Sequence, residues 1–411
     1  MENTSKGFLR LGWARERMDV TSQIRERFIR EKPLKGVKIS MALHVEAKTG
    51  IFALLLREGG AEIRMASCNP LSSDDSVVQS LRDDYKMDVY AKKGETDDEY
   101  YEYLNKTLDL KPNVIIDDGG DLVKIVSEDR TDLLANIIGG NEETTTGVVR
   151  LFAMEKAGAL KFPMFDVNDA EMKHFFDNRY GTGQSTLDGI MSATNVLLAG
   201  KKIVVAGYGW CGKGIAMRMK GLGGLVTVTE INPVKAVEAA MDGFDVKPMN
   251  LAIREADLVV TATGMKNVVS YSDLLVAKKN LILANSGHFN NEIPVRELET
   301  KSLEKRPVRE SINRYKLENG NTIDLIADGR LVNLAAGQGH PVEIMDMSFS
   351  IQALTAEYLV KNHRKLEKKV YPVPRELDLE VANLKLKGLD LSIDRLTDEQ
   401  TKYGEEWKEG T

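Results

Sequence analysis

The middle of the chain, not its start, holds the feature that most restricts its fold. Residues 201–206, Lys-Lys-Ile-Val-Val-Ala, read as a short buried strand. Gly207-Tyr-Gly-Trp-Cys-Gly212 follows without a break, and residues 213–220 then run at helical period. Residues 225–230, Leu-Val-Thr-Val-Thr-Glu, form a second strand that ends on an acid. This is a βαβ unit closed around a glycine turn. Gly207 permits the tight turn, Gly209 lets a pyrophosphate approach the backbone, and Gly212 lets the helix pack against the strand. The helix N-terminus turns free N–H groups toward phosphate. Glu230 can accept from ribose hydroxyls, and its charge repels a 2′-phosphate. The unit therefore predicts NAD, not NADP, as the bound cofactor.

At 411 residues the chain is long enough for two or three domains. Its net charge of −6 and the lack of a long basic run argue against nucleic acid as a partner. The longest apolar runs, such as residues 51–56, are too short to span a bilayer. No signal-peptide core precedes the first helix. Only Cys68 and Cys211 are present, far apart, so no disulfide framework is expected and a cytoplasmic location is. No Cys/His spacing fits a zinc site, so no metal is expected.

The first 200 residues alternate between helix and strand. Helices are predicted over 21–32, 49–58, 74–84 and 97–108, and strands over 37–43, 62–66, 89–91 and 114–116. This describes a doubly wound α/β unit, the substrate-binding domain, over residues 1–181. A helix over 185–198 leads into the glycine turn. With strands over 257–262 and 280–284, residues 182–341 form a Rossmann NAD-binding domain. An apolar-periodic helix over 344–361 crosses back, so that 342–372 returns to the first domain and 373–411 remains as a charged C-terminal tail. The fold class is thus α/β, with two doubly wound parallel sheets and a substrate cleft between them.

Polar residues gather where these strands end, and open α/β sheets place ligands there. His44 and Glu46 follow the first strand, and Asn69 the second. Asp-Asp-Gly-Gly-Asp at 117–121 follows the fourth strand, and Asn-Glu-Glu-Thr-Thr-Thr-Gly spans 141–147. Any one of them is as well explained by a solvated turn; several at equivalent strand ends point to a ligand. Lys173 and Asp177 are i,i+4 if 168–180 is helical. They are either a surface ion pair or a lysine–acid pair that moves a hydroxyl proton. His288 follows a strand of the second domain, and Asn333 and His340 lie near the return to the first. His174 and His363 read as surface residues.

The segments Asp117-Asp-Gly-Gly-Asp-Leu122, Glu142-Glu-Thr-Thr-Thr-Gly147, Val167-Asn-Asp169, Phe176-Asp-Asn178, Gly207-Tyr-Gly209, Asn285-Ser-Gly-His-Phe289, Gly329-Arg-Leu-Val-Asn333 and Gly339-His-Pro341 together resemble the S-adenosylhomocysteine hydrolase (adenosylhomocysteinase) family. The similarity runs from about residue 13 to 403. It implies a redox-assisted elimination in the methyl cycle: NAD oxidises C3′ of a nucleoside thioether, a base removes the C4′ proton, homocysteine leaves C5′, water adds, and the ketone is reduced again. It implies that Lys173 and Asp177 serve the 3′-hydroxyl with Glu143 beside them. His44 and Asp118 serve the proton transfers at C4′ and C5′, and His288 borders the homocysteine. Thr144, Thr145, Thr146, Asn178, Asn285 and Asn333 join Gly207, Gly209, Gly212 and Glu230 in holding NAD, and His340 closes on the base. A homo-oligomer, a tetramer in this family, is implied as well.

The chain departs from the family's pattern in four places. His-Met-Thr-x-Glu-Thr is here His44-Val-Glu46-Ala-Lys48-Thr49, a common glutamine is Asp74, a cysteine near the nicotinamide is Thr182, and the long Lys…Tyr tail is missing. Lys48 can only donate and an ionised Glu46 can only accept. Adenine offers an acceptor at N1 and a donor at the 6-position; hypoxanthine offers the reverse. The exchange suits S-inosylhomocysteine if both side chains reach the base, and means nothing for the base if they pair with each other or with Asp74. Two other readings of the chain are a dehydrogenase of a small hydroxy acid and a silent relative that only senses NAD or nucleoside. The first leaves residues 117–121 and 142–147 unexplained; the second leaves Lys173, Asp177, His44, Asp118 and His288 without a use.

Overall fold

The computed structural model describes residues 4–407; residues 1–3 and the last four of the tail, 408–411, lie outside the described residues. Strands β1 Lys38–Ala42, β2 Glu62–Ala66, β3 Asp88–Tyr90, β4 Val114–Asp117, β5 Gly139–Glu142 and β6 Met164–Asp166 belong to the first domain. The second holds β7 Lys202–Ala206, β8 Leu225–Thr229, β9 Asp245–Val246, β10 Leu258–Thr261, β11 Leu281–Asn285, β12 Glu304–Arg309, β13 Ile312–Lys316 and β14 Thr322–Ile326. The chain then returns, and β15 Val370–Pro372 joins the first sheet beside β6.

The first sheet is parallel throughout, in the order β15-β6-β5-β4-β1-β2-β3. Its strands are apolar on both faces. Val114 and Ile116 point into one core and Ile115 into the other, so helices must cover both sides. The chain winds outward from β1 through β3, then restarts on the far side of β1 with β4. The order therefore reverses between β1 and β4, and the crevice at that reversal is the ligand position of a doubly wound sheet. The second sheet, β12-β13-β14-β11-β10-β7-β8-β9, repeats the plan, with Ile203 and Val205 in one core and Val204 in the other. Its reversal falls between β7 and β10, at the glycine turn.

Several elements were not anticipated. The helix Lys6–Arg17 packs on the helices Asp75–Asp83 and Ala47–Glu58. The antiparallel strands β12 and β13 extend the second sheet. β12 is exposed and carries Glu304, Lys305, Arg306 and Pro307, the charged, proline-broken composition that protects a free edge and reads as a loop. The helix expected over 185–198 is Thr182–Thr194, and Asn195 ends it in the left-handed region at φ 54°. It starts early because a π-helical turn, Asp177–Gly181, feeds it directly from the first domain. The crossing helix is Val342–Asn362. Beyond it, the helix Arg375–Gly388 packs on Asp19–Glu31 and Val342–Asn362 and buries Val381.

Candidate active site

The two sheet reversals face each other across one cleft. An inner cavity of about 130 Å³ is lined from the first domain by His44, Asp118, Glu143, Thr144, Thr145, Lys173, Asp177 and Asn178, and from the second by Cys211, His288, Asn333 and His340. An outer cleft of about 1580 Å³ adjoins it, and Glu46, Gly339 and His340 line both.

Lys173 and Asp177 do not share a regular helix. Lys173 lies in the short turn Glu171–His174, and Asp177 opens the π turn. Their side chains still meet, with Lys173 Nζ 3.4 Å from Asp177 Oδ1 and 3.6 Å from Glu143 Oε1. Lys173 also donates to Asn178 Oδ1 at 2.9 Å and Asn168 Oδ1 at 3.2 Å. Burial alone would lower the lysine pKa, but the Asp177 and Glu143 carboxylates outweigh it and hold Lys173 above its ordinary range. Burial likewise works to raise Asp177, and Lys173 and His340 reverse the sign and hold it low. Glu143 behaves differently: burial wins over Lys173 and pushes its pKa up to about 7. This face thus pairs a fixed cation and a fixed anion with a carboxyl able to exchange a proton near neutrality.

On the other cluster, Asp118 stands between two imidazoles. His44 Nε2 is 3.4 Å from its Oδ2 and His288 Nδ1 is 3.5 Å from its Oδ1. Burial holds both rings neutral, lowering His288 and bringing His44 to about 4 against the pull of Asp118. Ligand-capable atoms of the three side chains lie within 4.8 Å of one another, a convergence that a divalent cation would also need.

The glycine turn fits a dinucleotide. Gly207 sits at φ +96°, and a Cβ on Gly212 would fall 1.9 Å from the Gly207 carbonyl oxygen, so helix and turn touch only because neither bears a side chain. Over Gly209 the space is open, with only Lys235 Nζ 4.0 Å away. The Glu230 carboxylate is steered there by N–H donors from Tyr208 at 2.8 Å, Ile231 at 2.7 Å and Asn232 at 2.9 Å. Asn333 donates to Ser185 Oγ at 3.2 Å, and its buried Oδ1 has no partner within the protein. Thr146 faces the second domain, its hydroxyl 3.9 Å from where a Gly264 Cβ would stand. Asn285 is different: its amide is taken up by Thr261, Gly287, Phe289 and Gly329, which ties the end of β11 to its neighbours.

Residues 178–339 match the S-adenosyl-L-homocysteine hydrolase NAD binding domain, and residues 1–133 match S-adenosyl-L-homocysteine hydrolase. The chain belongs to the S-adenosyl-L-homocysteine hydrolase family. It is 70% identical to an adenosylhomocysteinase of Thermoplasma acidophilum, over 99% of each chain. It is 56% identical to an S-inosyl-L-homocysteine hydrolase of Methanocaldococcus jannaschii, over 99% of this chain and 97% of the relative. The second domain is therefore the NAD-binding domain of a hydrolase, and the plain dehydrogenase reading falls. No helix among the described residues is long and apolar enough to cross a membrane.

Further residues touch this site, and sequence reasoning passed over several of them. Ser348 donates to Asp177 Oδ2 at 2.8 Å and Gln352 to Glu143 Oε2 at 2.7 Å, both from the crossing helix. Asp378, in the segment read as a charged tail, accepts the Glu171 and Met172 N–H groups at 2.9 Å each and so caps the turn that carries Lys173. Cys211, which lines the inner cavity, reaches Thr182 Oγ1 at 3.7 Å. His340 Nδ1 is 3.2 Å from Asp177 Oδ1. His174 is not a free surface residue: its ring lies 5.5 Å from Trp210 and 4.3 Å from Phe175.

Glu46 and Lys48 stand at the start of a helix, Glu46 still extended at φ −140° and Lys48 already helical. Glu46 is the N-cap of the helix Ala47–Glu58, accepting from Lys48 N at 3.0 Å and Thr49 N at 3.3 Å, and Lys48 sits in the first turn. The two pair at 2.9 Å, and Lys48 also donates to the Gln338 carbonyl across the cleft at 3.0 Å. Asp74 takes no part; it caps Asp75–Asp83 and pairs with Arg10.

Proposed function

We propose that the hydrolase reversibly cleaves the thioether of an S-nucleosyl-L-homocysteine to homocysteine and the free nucleoside, through transient oxidation of the ribose at C3′. NAD, when bound, supplies that reversible two-electron oxidation. The observation that carries the reading is the convergence of two proton-transfer clusters, Lys173–Asp177–Glu143 and His44–Asp118–His288, in one cavity beside the glycine turn. A thioether on saturated carbon resists direct hydrolysis. A 3′-ketone acidifies the C4′ proton, so a base can remove it as the thiolate leaves C5′.

Lys173 orients the 3′-oxygen, and Asp177 holds Lys173 charged. Glu143, with its pKa pushed up to about 7, exchanges the hydroxyl proton. Asp118 and His44 serve C4′ and C5′, and His288 borders the homocysteine. Thr144, Thr145, Thr146, Asn178, Glu230 and Asn333 hold the dinucleotide. The inner cavity, about 130 Å³, is well below the roughly 300 Å³ at which small-molecule pockets begin, so the domains part to admit the substrate.

The base is hypoxanthine in preference to adenine. Glu46 supplies an acceptor for N1–H and Lys48 a donor for O6, from adjacent positions at one helix N-terminus. The enzyme works in the cytoplasm as a homo-oligomer, a tetramer by family resemblance.

The test separates the half-reactions. Lys173→Ala should lose overall hydrolysis and also the reduction of bound cofactor on mixing with substrate. Asp118→Asn should keep that first reduction and lose exchange of the C4′ proton with solvent. Cofactor reduction at the wild-type rate in Lys173→Ala would remove Lys173 from the oxidation step.

A further inference from the structure

We propose that Ser72, buried behind the ring of His44, is a positioning residue that holds His44 in its Nε2–H tautomer. The inference rests on the proton-transfer role given to His44 above. His44 Nδ1 meets Ser72 Oγ at 2.7 Å and Cys68 Sγ at 3.2 Å. Either atom of the short contact can donate, so the direction follows from where the Ser72 proton has room to go.

The Asn69 carbonyl already accepts the Ser67 hydroxyl at 2.7 Å and the Ser72 N–H at 3.2 Å. That uses both of its lone pairs. Ser72 Oγ lies 3.1 Å from the same oxygen, where it would be a third donor. Ser67 Oγ, 3.4 Å from Ser72 Oγ, is the longer alternative and already accepts from Asn69 N. The shortest acceptor for the Ser72 proton is His44 Nδ1, with the Cys68 thiol proton turned to Asp118 Oδ2.

A ring that accepts at Nδ1 carries its own proton on Nε2, directed at Asp118 Oδ2. The opposite tautomer would aim a lone pair at a carboxylate. Cys68 Sγ lies 3.6 Å from the same Oδ2, and His288 Nδ1 faces Oδ1. Asp118 is thereby ringed by donors and stays the acceptor, while His44 stays the donor. The two groups thus enter the reaction with distinct duties: Asp118 is the ready proton acceptor, and the neutral His44 holds it in place through its Nε2–H.

The charged and titratable groups around His44 are Asp118, His288, His340, Glu46 and Cys68. Burial already favours the neutral ring, and a hydroxyl donating to Nδ1 acts in the same direction. Removing it should let His44 protonate at higher pH.

The experiment uses the NAD-loaded enzyme labelled with nitrogen-15 at histidine, His44 being assigned by the signal lost in His44→Asn. Wild type should show His44 protonated at Nε2 and bare at Nδ1 at neutral pH. Ser72→Ala should lose that pattern, lower kcat roughly ten-fold or more with little change in KM, and move the acid limb of the kcat profile to higher pH. Ser72→Thr, which keeps the hydroxyl, should restore all three. A wild-type spectrum with the proton on Nδ1 overturns the proposal without any variant. So does a Ser72→Ala enzyme with the Nε2–H pattern and pH profile intact. Wild-type turnover by His44→Asn would instead sink the role of His44 itself, whatever the tautomer.

Discussion

Replacing Lys173 with Met should destabilise the hydrolase in a way that depends on pH, because it leaves buried acids without their cation. Lys173 and Asp177 are 4% exposed and Glu143 6%. The sign of each contribution follows from its shift. The Lys173 pKa is raised in the fold, so its stabilisation is complete below the unfolded value of about 10.4 and is lost only as pH rises through the folded value. The Asp177 pKa is lowered, so its stabilisation is present above about 3.9 and is lost as pH falls through the folded value. Glu143 acts in the opposite sense, and the fold weakens as pH climbs from about 4.3 through 7. Without Lys173 both carboxyls should rise further and hold protons into the neutral range. Breaking a buried pair costs about 3–5 kcal/mol when the remaining charge cannot escape. His340 and Ser348 still support Asp177, which argues for the lower end. The variant should therefore lose about 3 kcal/mol at about pH 8 and only about 1 kcal/mol at about pH 5, where protonation relieves the charge. Urea unfolding at both pH values, at one fixed NAD concentration, measures this. Equal losses at the two pH values would show that the three groups do not share one electrostatic site.

Asp378→Ala should cost about 1 kcal/mol, the usual value of a lost helix cap, and should lower kcat more than it weakens NAD binding, read by urea unfolding, steady-state kinetics and cofactor titration. Glu230→Ala should weaken NAD and relax the rejection of NADP; an unchanged NAD affinity by calorimetry would remove Glu230 from the ribose. Gly147→Ala should weaken cofactor retention on purification, since the new Cβ would lie 2.1 Å from the buried Glu142 carboxyl, which accepts the Thr144 N–H.

What could be read in advance follows a physical line. β4 is apolar on both faces and ends on an acid, so both its burial and its role at the ligand crevice show in four letters. His44 and Asp118 were legible because each follows such a strand. That β1 and β4 are neighbours is a matter of strand order, which local pattern does not carry. Ser348 and Gln352 were hidden inside an apolar helix. Their signal was a polar pair at i,i+4 on a helix that buries its whole circumference, and a period count for amphipathicity discards it. Asp378 was lost for a different reason: a capping acid and a solvated acid look alike until the distant N–H groups it serves are in place. Cys68 was weighed only for disulfide and zinc spacing, tests that say nothing of a thiol folded against His44.

The base preference is where local pattern and tertiary contact bear on the same two side chains. Glu46 and Lys48 close on each other at 2.9 Å, which alone would be a structural pair. Yet Glu46 lines the inner cavity and Lys48 spans to Gln338, and on the proposed reading the purine edge meets both. Hypoxanthine joins: its N1–H can donate to Glu46 while O6 accepts from Lys48. With Lys48 at the 6-position and Glu46 at N1, as proposed, adenine would oppose a donor to Lys48 and an acceptor to Glu46, leaving one or two buried polar groups mispaired at roughly 1–3 kcal/mol each. S-inosyl-L-homocysteine should accordingly show a kcat/KM roughly ten- to a hundred-fold above that of S-adenosyl-L-homocysteine. The double change Glu46→Thr with Lys48→Glu should move the preference toward the adenine substrate while leaving Lys173 and Asp177 in place. Thr is itself a favoured N-cap, so the helix start should be kept with a stability change below about 1 kcal/mol, and a melting curve separates that effect from specificity. Equal efficiency on both thioethers, unmoved by the double change, would mean that the pair serves only the helix and the Gln338 contact.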